Sequence, residues 1–509
     1  MRGKSPEIEL SSSERLKRRL LIADLVLLAV GIMIFTGGIL FFGVVKFTIA
    51  IAFLVIVAIT FFSPKYGLYI LYGAEGLYVL VFYINLMALA PSQIGLDYTI
   101  SYYIEGSHLF IIPLVILFVS YLIGFLARLW LSGERYIIRA FEGSLLGFLL
   151  FCIAWTSLGI ANEHYPLTIL TDLHVVLMLA FAFFVGRSFK DIREFKTLFN
   201  FLIIVSLFHW IFLMGYFIQQ GLYSEFLFLL DLIRNIQGSS DIYSPFIPVM
   251  LAFVAIQDKS GLKKIEKLYP LLIFLFIIRT VLCLSRGAMI QAAIGIIVVY
   301  FLLPNENRRE YKRILKQQFK YLAIFCILLF IASPNLASVG FKMVATRATE
   351  TGKAGTITQG SLKYRALETQ MVLENIAESP VFGYGPGKQT KKRMFTYVSA
   401  SEEPYVHNGY LWYMLKFGAI GLCFLLYCLA GYFISVKRVV GRAPHEIKAF
   451  LIGTFAAIAG IIPIVITNNV IGAVQGNIFV SFAFGVAMFA ERTLQQGMND
   501  ESIREQPLS

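Results

Sequence analysis

The run Leu268–Leu303, LYPLLIFLFIIRTVLCLSRGAMIQAAIGIIVVYFLL, holds thirty-six residues, and only Arg279 and Arg286 among them are charged. A predominantly apolar run of about 18–20 residues is long enough to cross the hydrocarbon of a bilayer as a helix. Two runs of about that length, 268–285 and 287–303, stand back to back here around the tip Leu284-Ser285-Arg286-Gly287. Backbone N–H and C=O groups find no water inside a bilayer, so a spanning segment satisfies them within itself as a helix. These residues therefore predict a helical pair in lipid.

Working outward, the same pattern recurs along the chain. Apolar runs fall near 20–43, 47–63, 67–90, 109–130, 143–161, 167–186, 197–218, 244–257, 268–285, 287–303, 321–336, 409–436, 448–467 and 469–491. The expected fold is all-α: a polytopic integral membrane protein of about 14 transmembrane helices (range 12–14), with residues 1–509 as one membrane domain. Hydrophobic residues make up 58% of the 509 and charged residues only 15%, outside the range of soluble domains. The N-terminus is basic through Arg19 and then apolar without a small-residue cleavage site, which reads as a retained first span.

The formal charge of +13 invites a nucleic-acid partner, but its distribution excludes one. The N-terminal tail (Arg15, Lys17, Arg18, Arg19) is basic, and so is every second loop after it, as at Arg187, Lys190 and Arg193 or at Lys437, Arg438 and Arg442. Intervening loops such as 91–108 and 162–166 carry no Lys or Arg. Positive loops stay in the cytoplasm, which places both termini there. The five cysteines lie in apolar runs without CxxC spacing and read as small core residues.

One segment is too long for a connector: 337–408, assigned to the outer face, with nine Lys or Arg, six Glu and no Asp. Within it Leu362, Ala366, Leu373 and Ile376 fall on one face and predict an amphipathic helix. Ser379-Pro380 ends that helix, and the turn Gly383-Tyr-Gly-Pro-Gly387 follows. The turn follows a helix rather than a strand and contains proline, so it reads as a device fixing the loop against the membrane domain, not as a nucleotide cradle.

Three side chains stand out as candidates for chemistry. An arginine at mid-bilayer costs at least about 2.5–3.5 kcal/mol on insertion scales, so it needs compensation. Arg279 and Arg286 are read as sharing one helix face about 10 Å apart. They await either internal partners (Glu75 or Asp172 for Arg279, headgroups for Arg286) or an anionic ligand whose oxygens suit a bidentate fork. His407, in Val406-His407-Asn408-Gly409-Tyr410, closes the outer loop and opens a span, where it is wet enough to titrate beside a lipid-borne substrate. A structural histidine at that position is the competing reading. No HExxH, DxD, nucleophile elbow or Cys/His cluster is present, so neither a metal nor any other cofactor is expected.

The segment His407-Asn408, nine residues, Gly418, two residues, Gly421 resembles the His-Asn-x9-Gly-x2-Gly signature of the O-antigen ligase and polymerase superfamily. Ser285-Arg286-Gly287, Tyr364-Arg365 and Ser379-Pro380-Val-Phe-Gly383-Tyr-Gly385 resemble that family in the same order. The detailed resemblance covers about 270–425. It implies a membrane glycosyltransferase of the C type that moves a glycan from an undecaprenyl diphosphate carrier to a hydroxyl, at the outer face of a bacterial cytoplasmic membrane. The acceptor is lipid A-core or a growing polysaccharide, as in lipopolysaccharide or surface polysaccharide biosynthesis, or in some members a protein. Arg286 and Arg365 match the family's donor-binding arginines, with Arg279 as a possible helper. His407 then serves as general base, Asn408 orients the acceptor, and attack opposite the leaving group inverts the anomeric centre. Fixed cations at the departing pyrophosphate make a metal unnecessary. Two rivals stand beside this reading. A lipid-linked glycan flippase or polysaccharide exporter also needs arginines for pyrophosphate but no histidine at the outer mouth. Peptidoglycan polymerases are expected to use an acidic residue in an outer loop, and the main loop here has no Asp.

Overall fold

The computed structural model describes residues 43–74, 116, 118–131, 138–189, 191–221, 244–257, 266–282, 285–332, 357–394, 397–403 and 406–504. The chain forms two compact units, Met1–Glu75 with Leu109–Ile138, and Gly76–His108 with Arg139–Ser509.

In the first unit, α1 (Gly43–Phe62) breaks at Ser63-Pro64. Pro64 lacks an N–H and starts the next helix, α2 (64–74), at the position where that N–H has no intrahelical partner. On α3 (Phe118–Leu131) Tyr121 Oη donates to Pro64 O at 3.1 Å. Arg128 Nη1 donates to Phe61 O and Phe62 O at 3.1 and 2.9 Å, satisfying the carbonyls that end α1.

The second unit runs α4 (Ala140–Ala161), α5 (Pro166–Ser188, with a 3-10 turn at Met178–Ala180), α6 (Ile192–Gly221), α7 (Phe246–Ile256) and a 3-10 turn at Glu266–Leu268. It continues with α8 (Tyr269–Leu282), α9 (Arg286–Leu302), α10 (Asn305–Ala332) and α11 (Ile357–Glu378). The hairpin β1 (Thr390–Met394) and β2 (Tyr397–Glu403) follows, then α12 (Gly409–Val440), α13 (His445–Ile464) and α14 (Val474–Arg504).

Among the described residues five helices are long and apolar enough to cross a membrane: Ala140–Ala161, Pro166–Ser188, Gly409–Val440, His445–Ile464 and Gly476–Gln495. The expected fourteen are therefore not all seen. The run 20–43 lies almost wholly outside the described residues, as does most of 67–90. The run 244–257 becomes the 11-residue α7, about 16 Å long, half the hydrocarbon thickness. Ten of its residues are buried, so it sits inside protein, where a short helix need not reach either face. The run 321–336 begins sixteen residues early, because α10 carries a charged first half.

Between lipid-embedded helices there is no hydrophobic driving force, so association rests on close packing at small residues. α13 packs on both α7 and α9. A Cβ at Gly453 would stand 2.4 Å from Val249 Cα, and one at Gly460 2.5 Å from Gln291 O. Aromatic rings fill the space among α6, α7, α13 and α14, with Phe253–Phe450 centroids 4.8 Å apart, Phe199–Phe450 5.2 Å and Phe195–Phe489 5.2 Å.

The two ends of this bundle differ in chemistry. At one end the basic loop residues are partnered by glutamates: Lys196 Nζ lies 2.8 Å from both Glu266 and Glu446, Arg187 3.0 Å from Glu142, and Arg139 3.9 Å from Glu491. The basic turns at 303–309 and 437–445 lie at that same end. The starts of α9 and α12, the ends of α4 and α13, and α11 gather at the other.

Two expectations are corrected here. Arg279 and Arg286 do not share a helix: Ser285 is extended (φ −79°, ψ 110°) and its Oγ accepts from Ala288 N, so it caps a new helix that Arg286 opens. The long segment also carries a hairpin, in which β1 and β2 pair antiparallel with Thr390 opposite Glu403 and Met394 opposite Tyr397. The helix expected in it exists as α11, but turned: Val372 and Ile376 are buried, whereas Leu373 is 48% exposed. Its inward face also carries Arg365 and Glu368, all four within about 80° at 100° per residue. Polar residues at the contact hid its phase from a reading of apolar residues alone.

Candidate functional site

α12 starts with Asn408, whose Oδ1 accepts from Leu411 N at 3.1 Å, an N-cap that satisfies one of the orphan donors of the first turn. Gly409 N donates to Val465 O at 2.8 Å, and Tyr410 Oη to Ile462 O at 2.9 Å, tying the mouth of α12 to the end of α13. α9 begins beside the same point: a Cβ on Gly287 would lie 3.1 Å from Ile464 Cγ2. Arg286 and His407 are thereby brought to one corner, on either side of Ile464-Val465.

Arg286 Nη2 is buried and has no hydrogen-bond partner among the described residues. A buried guanidinium N–H costs free energy unless it is paired, so the position favours an anion. Arg279 sits in the last turn of α8, 4% exposed. The partner proposed for it from sequence, Asp172, is engaged elsewhere: Lys416 Nζ donates to Asp172 Oδ2 in a buried ion pair, and Gly387 N donates to the same oxygen at 2.6 Å. Glu75 lies outside the described residues.

α11 supplies two groups. Arg365 is half-buried, and Glu368 lies one turn further on the same face. Glu368 holds His407 at two points: the backbone N–H donates to Oε2 at 3.0 Å, and Nδ1 donates to the carboxylate at 3.0 Å from each oxygen. With Nδ1 carrying the proton, the neutral imidazole keeps its lone pair on Nε2. The side chains of His407 and Glu368 are 29% and 12% exposed.

The turn after α11 explains Gly418, the first glycine of the His-Asn-x9-Gly-x2-Gly pattern. α12 breaks at Gly418 (φ 67°, ψ −175°). An unbroken helix would join Ala419 N to Leu415 O and Ile420 N to Lys416 O. Instead Ala419 N donates to Pro380 O (2.9 Å) and Ile420 N to Val381 O (3.4 Å). The freed carbonyls of Leu415 and Lys416 accept from Tyr384 N (3.0 Å) and Gly385 N (2.8 Å). Two helical bonds are exchanged for four to the turn, and no backbone group is orphaned. Trp155 Nε1 and Asn162 Nδ2 on the α4 side donate to Phe382 O (2.6 Å) and Tyr384 O (2.8 Å), and His164 Nδ1 to Pro386 O (2.9 Å). Tyr384 Oη donates to Glu378 at 2.6 Å. Burial and that carboxylate push its phenol up to about 12, so it stays a donor. The turn does fix the segment against the membrane domain, as its sequence implied.

Sequence reasoning singled out Arg279, Arg286, Arg365, His407 and Asn408; the structure places Arg279 in the last turn of α8, Arg286 at the start of α9, Arg365 on α11, and His407 and Asn408 just before α12. It missed Glu368, for which the Arg-x-x-Glu spacing on a predicted helix was the available signal. It gave Asn408 a substrate role without its cap. Among the described residues no three His, Cys, Asp or Glu side chains stand together as a metal site.

The family model described as O-Antigen ligase matches residues 271–426, which bears out over that stretch the resemblance carried by the motifs. No curated protein matches the chain. A membrane protein with a glycan-transferring role in polysaccharide biosynthesis is what that match and the apolar helices support.

Proposed function

We propose, starting from the O-antigen ligase match at 271–426, that this protein transfers a glycan from a lipid diphosphate to an acceptor hydroxyl, with inversion and without a metal. The observation that carries the reading is the convergence of a general base and arginines from three separate elements at one end of a membrane bundle: His407 before α12, Arg286 at the tip of α9 and Arg365 on α11. The donor is undecaprenyl diphosphate-linked glycan, and the acceptor is lipid A-core or a polysaccharide chain. In the step, the acceptor oxygen bonds to the anomeric carbon and the bond to the pyrophosphate oxygen breaks. The acceptor proton passes to His407 Nε2, and the pyrophosphate remains on the lipid. Arg286 and Arg365, with Arg279 behind them, neutralise the charge that grows on the leaving group. The positive end of the α9 dipole acts in the same sense. Asn408 has its Oδ1 committed to the cap, and its Nδ2 is the group that orients the acceptor.

Arg286→Lys tests the clamp. It keeps the charge but replaces a bidentate fork with a point charge, so transfer is expected to fall about 10- to 100-fold with weakened donor binding. Near-unmutated turnover with normal donor affinity in a reconstituted transfer assay rules the clamp out.

The site end is assigned to the periplasmic or exterior face by the positive-inside rule, since the basic turns cluster at the opposite end. With the native cysteines replaced, single cysteines at 350 and 390 are expected to react with an impermeant maleimide in intact cells. Those at 310 and 440 react only after lysis. Labelling of 440 but not 390 in intact cells reverses the orientation and removes the site from the lipid-linked donor.

A further inference from the structure

We infer that Glu368 is the positioning residue of the transfer step, holding His407 as the Nδ1–H tautomer with Nε2 directed to the acceptor. This rests on the transferase reading above. Three features carry it. Glu368 grips one residue twice, at its backbone N–H and its ring, all three contacts at 3.0 Å. A single contact would leave the imidazole free to turn about χ1, whereas a two-point grip from a 12%-exposed carboxylate does not. Next, the side-chain oxygen of Asn408, the residue beside His407, is taken by Leu411 N, whereas both carboxylate oxygens of Glu368 meet His407 Nδ1. The orienting duty therefore falls to a residue 39 positions earlier in the chain. Last, Glu368 shares a face of α11 with Arg365, one turn apart. The helix that presents a cation to the leaving pyrophosphate thereby also sets the angle of the base, so the two ends of the reacting bond are registered by one rigid element.

During the step Nε2 takes the acceptor proton and Nδ1 keeps its own. Glu368 stays ionised and stabilises the imidazolium that forms, and no proton reaches the carboxylate. Such an acid–imidazole pair holds tautomer and orientation in unrelated hydrolases. Loss of the outer partner of a metal-bound histidine typically costs about 10- to 100-fold, and the same scale is adopted for this one.

The test is purified Glu368→Gln beside Glu368→Asp, each reconstituted and assayed with lipid-linked donor and acceptor. The glutamine keeps volume and an acceptor oxygen for the backbone N–H but carries no charge. Its kcat is expected to fall about 10- to 100-fold while donor KM and the unfolding temperature stay unchanged. Asp keeps the charge on a shorter arm and is expected to recover part of the loss. A Glu368→Gln protein with unmutated kcat overturns the inference. So does one in which donor KM rises in step with the loss, because Glu368 then acts on the donor, or one that is plainly destabilised, because its role is then structural. Failure of the transferase reading looks different: the unmutated protein itself yields no product.

Discussion

Purified His407→Ala is expected to bind lipid diphosphate glycan normally and to lose turnover by about 10²–10⁴-fold, with or without EDTA. The asymmetry follows from where each group acts. In the proposed step the arginines act on the pyrophosphate, which carries charge in the bound donor and more in the transition state, so their loss is expected to weaken both binding and chemistry. In the same proposed step His407 acts on the acceptor proton, which moves only in the transition state. The start of α12 keeps two ties that do not involve the His407 ring: Asn408 caps the helix, and Gly409 N binds Val465 O on the α13 side. Folding is therefore expected to survive, as an unchanged unfolding temperature would show. Substantial transfer by His407→Ala removes His407 as the base. If the unmutated protein binds donor but transfers nothing, the flippase or exporter reading takes its place.

Gly418→Ala is expected to destabilise the protein by at least about 3 kcal/mol. At φ 67°, ψ −175° the backbone lies in a region that is essentially glycine's alone. An added Cβ would stand 2.1 Å from Val381 O, a backbone atom that cannot swing aside as a side chain does. Relief by straightening α12 would expel the 380–385 turn and its four bonds. A drop in unfolding temperature in detergent and new protease cleavage between 379 and 390 are the expected readouts. Gly441→Ala is the control: its φ is −66° and nothing lies within 4 Å of the new Cβ. Equal behaviour of the two variants would sink the account of the break.

The apolar runs made the helical membrane fold legible because a bilayer imposes one solution on such segments. The residues proposed to carry the chemistry, the arginines and His407, stood out in the sequence for the complementary reason: they are costly or unusual where they stand. What escaped the sequence depends on partners distant in the chain. α7 could not be distinguished from a full span, because its ten buried residues are as apolar as lipid-facing ones. The phase of α11 was misread since Glu368 at its contact looks like a solvent residue until His407 is set against it. The break at Gly418 is invisible from α12 alone. Its meaning lies in Pro380, Val381, Tyr384 and Gly385, more than thirty residues away.

The exchange of bonds at that break also determines where the length of the chain can change. Adding or deleting one residue within 380–385, or within 415–420, slides two donors and two acceptors off their partners at once. The segment 389–406 is different: it runs from the turn to the mouth of α12, and its described strands pair with each other as a hairpin, with β1 against α11. Doubling such a loop costs only about 0.6 kcal/mol in closure entropy. Related chains are therefore expected to vary in size there, close in sequence to His407, which on the proposed reading would give a fixed frame a replaceable edge with which to meet different acceptors.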